Sequence, residues 1–450
     1  MRILTLLLAL MVVHSSFAGS LCQNPKKGYA SISFGMTSFW GNSCKTQLAR
    51  AKWLGFTAVS VSPAFYYVPD GTVEVTTPQT TFNACLDEAK SLGFDITYKP
   101  MIEALPAGHF MDAKLDAPRT LEDSLMQTPD QSTAPWRAYF DFTPGRDYLS
   151  KVMDPFMTWM ETNKSDLSHL KVSIVVATEL HRSIVEHGLA WNNLMTGMRT
   201  RLAKSGMAKQ IEIGLDPTVF GGDPWLADYL KRPLTATECS QYQDMLWTAD
   251  FFSPSVYGDY IIQGYRSNPE KSVEGVFTNS HVAWEKALLS RKCMPSQSLM
   301  HRFQDGDFSN RDKDRTTKVA WAGEIGYGGA LNRTWSGFDT DPPYHQGPAA
   351  MDAYRRTTLV KEQQNFIDNA PIWAKGVLDF SRAANQDTVS FWITGRFDIF
   401  GFSDLPPLGP LNSHQGEYTT QDPAHGADAI PAVAKLRDIL QTYTRERCGP

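Results

Sequence analysis

Along this chain, short apolar runs of strand length alternate with longer stretches whose apolar positions recur every three to four residues. The strand-type runs are Tyr29 to Phe34, Thr57 to Ser62, Asp95 to Ile102, Val172 to Ala177, Gln210 to Leu215, Phe251 to Val256, Val319 to Gly323 and Thr388 to Ile393. Helical periodicity marks Ser43 to Leu54, Thr80 to Leu92, Tyr148 to Thr162, Trp191 to Lys204, Ala283 to Ser290, Ala349 to Ile367 and Ile430 to Tyr443. In Leu54-Gly55-Phe56 and Leu92-Gly93-Phe94 a glycine stands where a helix stops and the next strand begins. Repetition of that unit predicts βα units on a parallel sheet, and eight of them predict an α/β fold of the (β/α)8 TIM barrel type. Such barrels take about 250 residues and exceed 400 when their loops expand. The surplus here falls in 103–147, 216–249, 258–317 and 326–386, after the third, fifth, sixth and seventh strands, so long βα loops are expected around the C-terminal face. No Pro- or Ser-rich linker divides 19–450, which reads as one domain.

Composition narrows the setting. Met1-Arg2, the apolar run Ile3 to Val13 and Ser16-Phe17-Ala18 have the form of a cleaved secretory signal over residues 1–18, which predicts a secreted or periplasmic protein. That run is shorter than the roughly 20 residues a membrane helix needs, and no other stretch reaches that length, so no membrane span is expected. All six cysteines (Cys22, Cys44, Cys85, Cys239, Cys293, Cys448) lie after the signal. An even count in an oxidising compartment favours disulfides, with buried free thiols as the alternative and the pairing left open. A net charge of -5 without a long basic run argues against nucleic acid as a partner. There is no H-E-x-x-H or C-x-x-C spacing for a metal, no G-x-S-x-G elbow for a serine nucleophile and no G-x-x-x-x-G-K-[ST] loop for phosphate. Neither a metal nor another cofactor is implied, and His109 and His181 read as packed or surface residues.

Chemistry concentrates at two strand ends. Ala320-Trp321-Ala322-Gly323 runs into Glu324 and then into Gly326 and Gly328-Gly329; Val172 to Thr178 runs into Glu179. A carboxylate at the mouth of an apolar strand costs solvation unless it is partnered or used. Glu324 could cap its loop and Glu179 could join His181 and Arg182 in an ion cluster, but two such ends on one barrel face also make a two-carboxylate site. Glycoside hydrolysis needs such a pair: a protonated carboxyl for the leaving oxygen and an ionised one to attack the anomeric carbon or position water. Tyr257, at the end of the sixth strand, either orients Glu324 or packs as a core ring. Trp392, Trp40, Tyr66, Trp136 and Trp335 are candidate platforms for a pyranose face, each with a core role as the alternative. Lys99 and Glu103 flank the third strand and either bond sugar hydroxyls or pair with each other.

Ala177-Thr178-Glu179-Leu180 and Gly323-Glu324-Ile325-Gly326-Tyr327 resemble the strand-four and strand-seven signatures of clan A glycoside hydrolases. The resemblance is greatest to family 113, the β-mannanase family, and extends over Ser33-Phe34, Trp40, Tyr98-Lys99-Pro100, Trp191 to Arg199, Val256-Tyr257 and Phe391-Trp392. It implies a retaining double displacement with Glu179 as acid/base and Glu324 as nucleophile, their carboxyl groups about 5 to 5.5 Å apart. The implied partner is a β-linked polysaccharide or oligosaccharide, of mannan type first. Glucan, xylan, a cell-wall amino-sugar polymer, or a carbohydrate-binding barrel without turnover are the alternatives. Two positions depart from the clan pattern: Thr178 stands where an asparagine is common, and Asp216-Pro217 where an asparagine and an aromatic residue are expected.

Overall fold

A computed structural model describes residues 26, 28–36, 42–67, 73–104, 145, 147–178, 180, 183–184, 187–216, 235–253, 255–257, 318–319, 324–326, 371–372, 374–379, 381–382, 387–391 and 431–448. The first half of the chain gives β1 (Ser31–Met36), α1 (Asn42–Leu54), β2 (Ala58–Val61), β3 (Ala64–Tyr67), β4 (Val73–Val75), α2 (Gln79–Ser91), β5 (Asp95–Tyr98) and β6 (Met101–Ala104). A π-helical turn (Tyr148–Met153) runs into α3 (Asp154–Thr162), and β7 (Val172–Thr178), α4 (Gly188–Lys204) and β8 (Ile211–Asp216) come next. Then come α5 (Ala236–Thr248), β9 (Phe251–Phe252), β10 (Ser255–Tyr257), β11 (Lys318–Val319), β12 (Glu324–Gly326), β13 (Thr388–Phe391) and α6 (Pro431–Cys448). The signal at 1–18 and the helices expected at 283–290 and 349–367 lie outside the described residues.

Every expected strand run carries strand, and two of them are broken among the described residues. The third splits at Lys99-Pro100 into β5 and β6, and the sixth splits at Ser253-Pro254 into β9 and β10. Proline brings no N–H to a ladder, so each strand ends or restarts beside it. Of the seventh run, β11 and β12 are described, and Glu324 lies within β12 instead of beyond the strand. Helix α5 was not expected. Its start is a capping box, with the Thr235 backbone N–H donating to Glu238 Oε2 at 2.7 Å and the Glu238 N–H donating to Thr235 Oγ1 at 3.2 Å.

The strands form a curled sheet in the order β10-β12-β13-β1-β2-β5-β7-β8-β9-β11, in which each pairing is parallel. The stretches 251–257 and 318–326 pair twice, through β9 with β11 and through β10 with β12. A smaller sheet, β4-β3-β6, stands apart. One face of the large sheet packs on helices and the turns that follow them: Tyr98 stacks on Phe156 of α3 at 4.3 Å, and Phe34 and Phe391 each make a T-shaped contact with Phe56, just past the end of α1. Here lies the main core, including Ile32, Val59, Val61, Ile96, Ile174 and Ile213. Gly55 and Gly93 adopt φ of 101° and 75°, the left-handed conformation that ends α1 and α2 as their Leu-Gly-Phe context predicts. A disulfide, Cys44–Cys85, ties α1 to α2, and Cys239 and Cys448 are disulfide-bonded too. Closing a loop of this length contributes about 3–4 kcal/mol in the chain-entropy account.

The opposite face is small and polar. Register aligns Ser33 with Ala58 and Ser390, and Gly35 with Ser60, Thr97 and Ser173. Its apolar content gathers at Val175 and Phe251, and a Cβ on Gly214 would come within 2.6 Å of the Phe251 ring, so this position requires glycine. Hydroxyl side chains, those of Ser33, Ser60, Thr97, Ser173 and Ser390, dominate the aligned positions of this face.

At the N-terminal ends of the strands, α6 is anchored by Gln441 Nε2 donating to the Trp53 carbonyl (2.8 Å) and Thr444 Oγ1 to that of Gly55 (2.7 Å). Beside it, Asp95 accepts from the Lys171 backbone N–H at 2.9 Å and from Ser31 Oγ at 3.3 Å. Burial pushes the Asp95 carboxyl above its ordinary range, opposed by the Lys171 N–H and the charges of Arg447 and Lys171. A folded-state value above the unfolded one stabilises the fold at pH below the unfolded pKa of about 3.9, and that contribution is lost as pH rises through the folded value. Asp95→Asn, which keeps an acceptor for Lys171, should therefore raise Tm at neutral pH and lose its advantage near pH 4. Thermal melts across that range check this; a Tm lowered most at neutral pH would assign the larger effect to the Arg447 attraction.

Candidate active site

Because the sheet is parallel, the C-terminal ends of its strands share one edge: Met36, Val61, Tyr98, Thr178, Asp216, Tyr257, Gly326 and Phe391. The small sheet leaves from this edge. β3 comes after Ser62-Pro63 and β6 after Lys99-Pro100, and they pair Ala64 with Met101 and Tyr66 with Glu103. It forms a wall beyond the ends of β2 and β5, with Tyr66 on its central strand.

The centre of the described edge is an ion pair. Lys99 Nζ lies 2.6 Å from Asp216 Oδ2, and both side chains are fully buried. Lys99 stands just after β5 and Asp216 ends β8, with β7 between them. At about 4.8 Å per strand, the two backbones stand roughly 10 Å apart and the side chains span the end of β7. There the register slips: Val175 faces Gly214 but Thr178 faces Asp216, three steps on β7 against two on β8. This is a β-bulge, which bends a strand and re-aims the residues beyond it. Val176 lies inside it, and its carbonyl accepts from the buried Tyr148 hydroxyl. The Tyr148 ring meets Trp191 edge-on at 5.4 Å, and Trp191 Nε1 donates to Ser183 Oγ at 3.0 Å. Thr178 Oγ1 and the hydroxyls of Ser33, Ser60, Ser62 and Ser390 are buried with no hydrogen-bond partner among the described residues.

Of the residues expected at the site, Glu324 opens β12 opposite Ser255, and Tyr257 ends the neighbouring β10 opposite Gly326. Glu179 is the next residue after Thr178, but it lies outside the described residues, as do Trp40, Trp136, Trp335 and Trp392. Trp392 comes directly after Phe391, the end of β13. Lys99, expected to meet sugar hydroxyls or Glu103, has its buried ammonium 2.6 Å from Asp216 Oδ2. Asp216 was visible in the sequence only as a departure from a pattern, and Tyr148 and Ser183 carried no signal beyond helix and loop composition. Among the described residues no cluster of His, Cys, Asp and Glu side chains is placed to hold a metal ion, and no helix is long and apolar enough to cross a membrane. A groove lined by Arg199, Leu202, Ala203 and Ile211 lies at the start of β8, far from this edge, and Arg199 there is held by Asp250 at 2.7 Å.

No family model matches the chain, and no curated protein matches it. Among solved structures it is similar to a GH113 β-1,4-mannanase at 13% identity, covering 94% of this chain and 100% of that one, with a TM-score of 0.43. A GH113 β-mannanase from Alicyclobacillus acidocaldarius in complex with ManMIm is 12% identical over 95% and 100% of the two chains, with a TM-score of 0.39. A GH39 β-xylosidase from Caulobacter crescentus is 12% identical over 92% and 71%, with a TM-score of 0.35. At these identities and TM-scores, function has to be read from the chain's own residues.

Proposed function

We propose that this chain is a secreted, retaining glycoside hydrolase acting on β-linked polysaccharide, with Glu179 as acid/base and Glu324 as nucleophile. The observation that carries this reading is the parallel register, by which β12, opened by Glu324, and the end of β7, directly before Glu179, belong to one curled sheet with one C-terminal edge. Double pairing between 251–257 and 318–326 supports closure of that sheet into a complete (β/α)8 barrel, which would bring the two strand ends to face each other across its mouth. The Cys44–Cys85 bridge supports an oxidising destination.

In the proposed cycle Glu179 protonates the glycosidic oxygen while ionised Glu324 attacks the anomeric carbon. Glu179 then takes a proton from the water that releases the sugar from Glu324. Tyr257, on the strand paired with β12, orients the nucleophile. Trp40, Tyr66, Trp136, Trp335 and Trp392 are the proposed sugar platforms, and no cofactor takes part in these steps. Mannan is the first substrate by the resemblance of the two glutamate segments to family 113.

A panel of β-mannan, β-glucan, xylan and cell-wall amino-sugar polymers, read by new reducing ends, tests this. Release from mannan is expected; release only from another polymer would move the substrate, and binding without release would make the protein a non-catalytic barrel. Glu179→Ala should slow phenyl glycosides by about 10²- to 10⁴-fold and dinitrophenyl glycosides far less, because only the poor leaving group needs a proton. Equal losses on both would remove Glu179 from the acid role.

A further inference from the structure

The β7 bulge is held from both faces. On the polar face the Lys99–Asp216 pair spans the strand end; on the helix side Tyr148 donates to Val176 and packs on Trp191, which in turn reaches Ser183. The chain beyond is anchored close by: Thr178 and Leu180 are buried, Ile184 N–H donates to the Leu180 carbonyl at 2.8 Å, and His187 N–H donates to that of Ser183 at 2.9 Å. The irregularity at which the Tyr148 phenol donates to the Val176 carbonyl therefore lies just before position 179 in the chain.

We infer that Tyr148 is a positioning residue for the strand end that carries Glu179: by holding the bulge at Val176 it sets the aim of the proton donor. The inference rests on the acid/base reading of Glu179. A catalytic carboxyl has to be held to within about 0.5 Å of its productive place, and a displacement of about 1 Å costs up to 10²-fold in rate. A bulge has more than one way to settle, so the partner of its carbonyl decides which one the strand adopts. Burial raises the Tyr148 hydroxyl well above the usual tyrosine range, which keeps it a donor at any working pH. Trp191 and Ser183 extend the same brace to the segment just past Glu179. In this inference Tyr148 acts through the β7 backbone, where its hydroxyl donates to the Val176 carbonyl.

The test compares kcat and KM of the wild type, Tyr148→Phe, Ser183→Ala and Glu179→Ala, with Tm measured alongside. The substrates are phenyl and dinitrophenyl glycosides of the sugar the polysaccharide panel selects, β-mannobiosides on the present reading. Tyr148→Phe should lower kcat on the phenyl glycoside by about tenfold, change the dinitrophenyl glycoside by less than about twofold, and leave KM in place. Ser183→Ala should shift the same ratio in the same direction by less. A merely structural tyrosine would lower Tm and leave the leaving-group ratio at its wild-type value below the melt, which would overturn the inference. If Tyr148→Phe does not fold, the ratio in Ser183→Ala decides. Should Glu179→Ala itself show no leaving-group dependence, or the wild type cleave nothing, the acid/base reading has failed and the inference falls with it. Dependence in Glu179→Ala without any in the brace variants would overturn the inference alone.

Discussion

Glu324→Gln should reduce turnover at least about 10⁴-fold while the protein folds normally, since a carboxamide of the same size cannot attack the anomeric carbon and loss of a nucleophile removes a whole covalent route. Its backbone role is independent of that chemistry. Residue 324 pairs with Ser255, and the next residue, Ile325, pairs with both Val256 and Phe391, so the substitution leaves these ladders intact. Tm and circular dichroism should therefore match the wild type. The same carboxylate should be the sole site labelled by a fluorosugar that traps the glycosyl-enzyme, read by peptide mass. Label on another residue would reassign the nucleophile, and a Tm loss equal to the activity loss would make Glu324 a structural carboxylate.

The elements that could be read from the sequence were those set by local chemistry. Leu-Gly-Phe marked the stops of α1 and α2 because a left-handed residue there favours glycine, and both glycines have positive φ. Short runs rich in β-branched and aromatic residues marked the strands, with small or polar residues at the alternate positions of β1, β2, β5 and β13 that form the polar face. The breaks at Pro100 and Pro254 were equally local and equally visible, yet hydrophobicity alone carries a run straight through them. Thr235-Ala236-Thr237-Glu238 was a capping box in plain sight, masked because the helix behind it is weakly amphipathic. The Lys99–Asp216 pair is different in kind. Its partners are separated by a whole βαβ unit and meet only because β7 lies between β5 and β8. Likewise nothing local says that Tyr148 will fasten a bulge in a strand that begins beyond the next helix. Glu179 and Glu324 were singled out because strand ends can be read locally, whereas the contacts that hold those ends depend on topology.

The ion pair carries the largest expected effect on stability. Lys99→Met leaves Asp216 with no cation at 2.6 Å in a fully buried place, and removing one partner of a buried pair costs about 3–5 kcal/mol. Asp216→Leu should cost a similar amount by removing the buried carboxylate that lies 2.6 Å from the ammonium. Combining them to give Lys99→Met/Asp216→Leu replaces two desolvated charges by apolar side chains of similar reach, and such replacements are neutral to stabilising in other buried pairs. Denaturant midpoints of the four proteins form a double-mutant cycle, and the double variant should recover most of what each single variant loses. Recovery would show that the charges are costly to strand and replaceable as a pair, so the end of β7 needs a filled span and not a charge. Additive losses would mean that each group is held by further partners of its own.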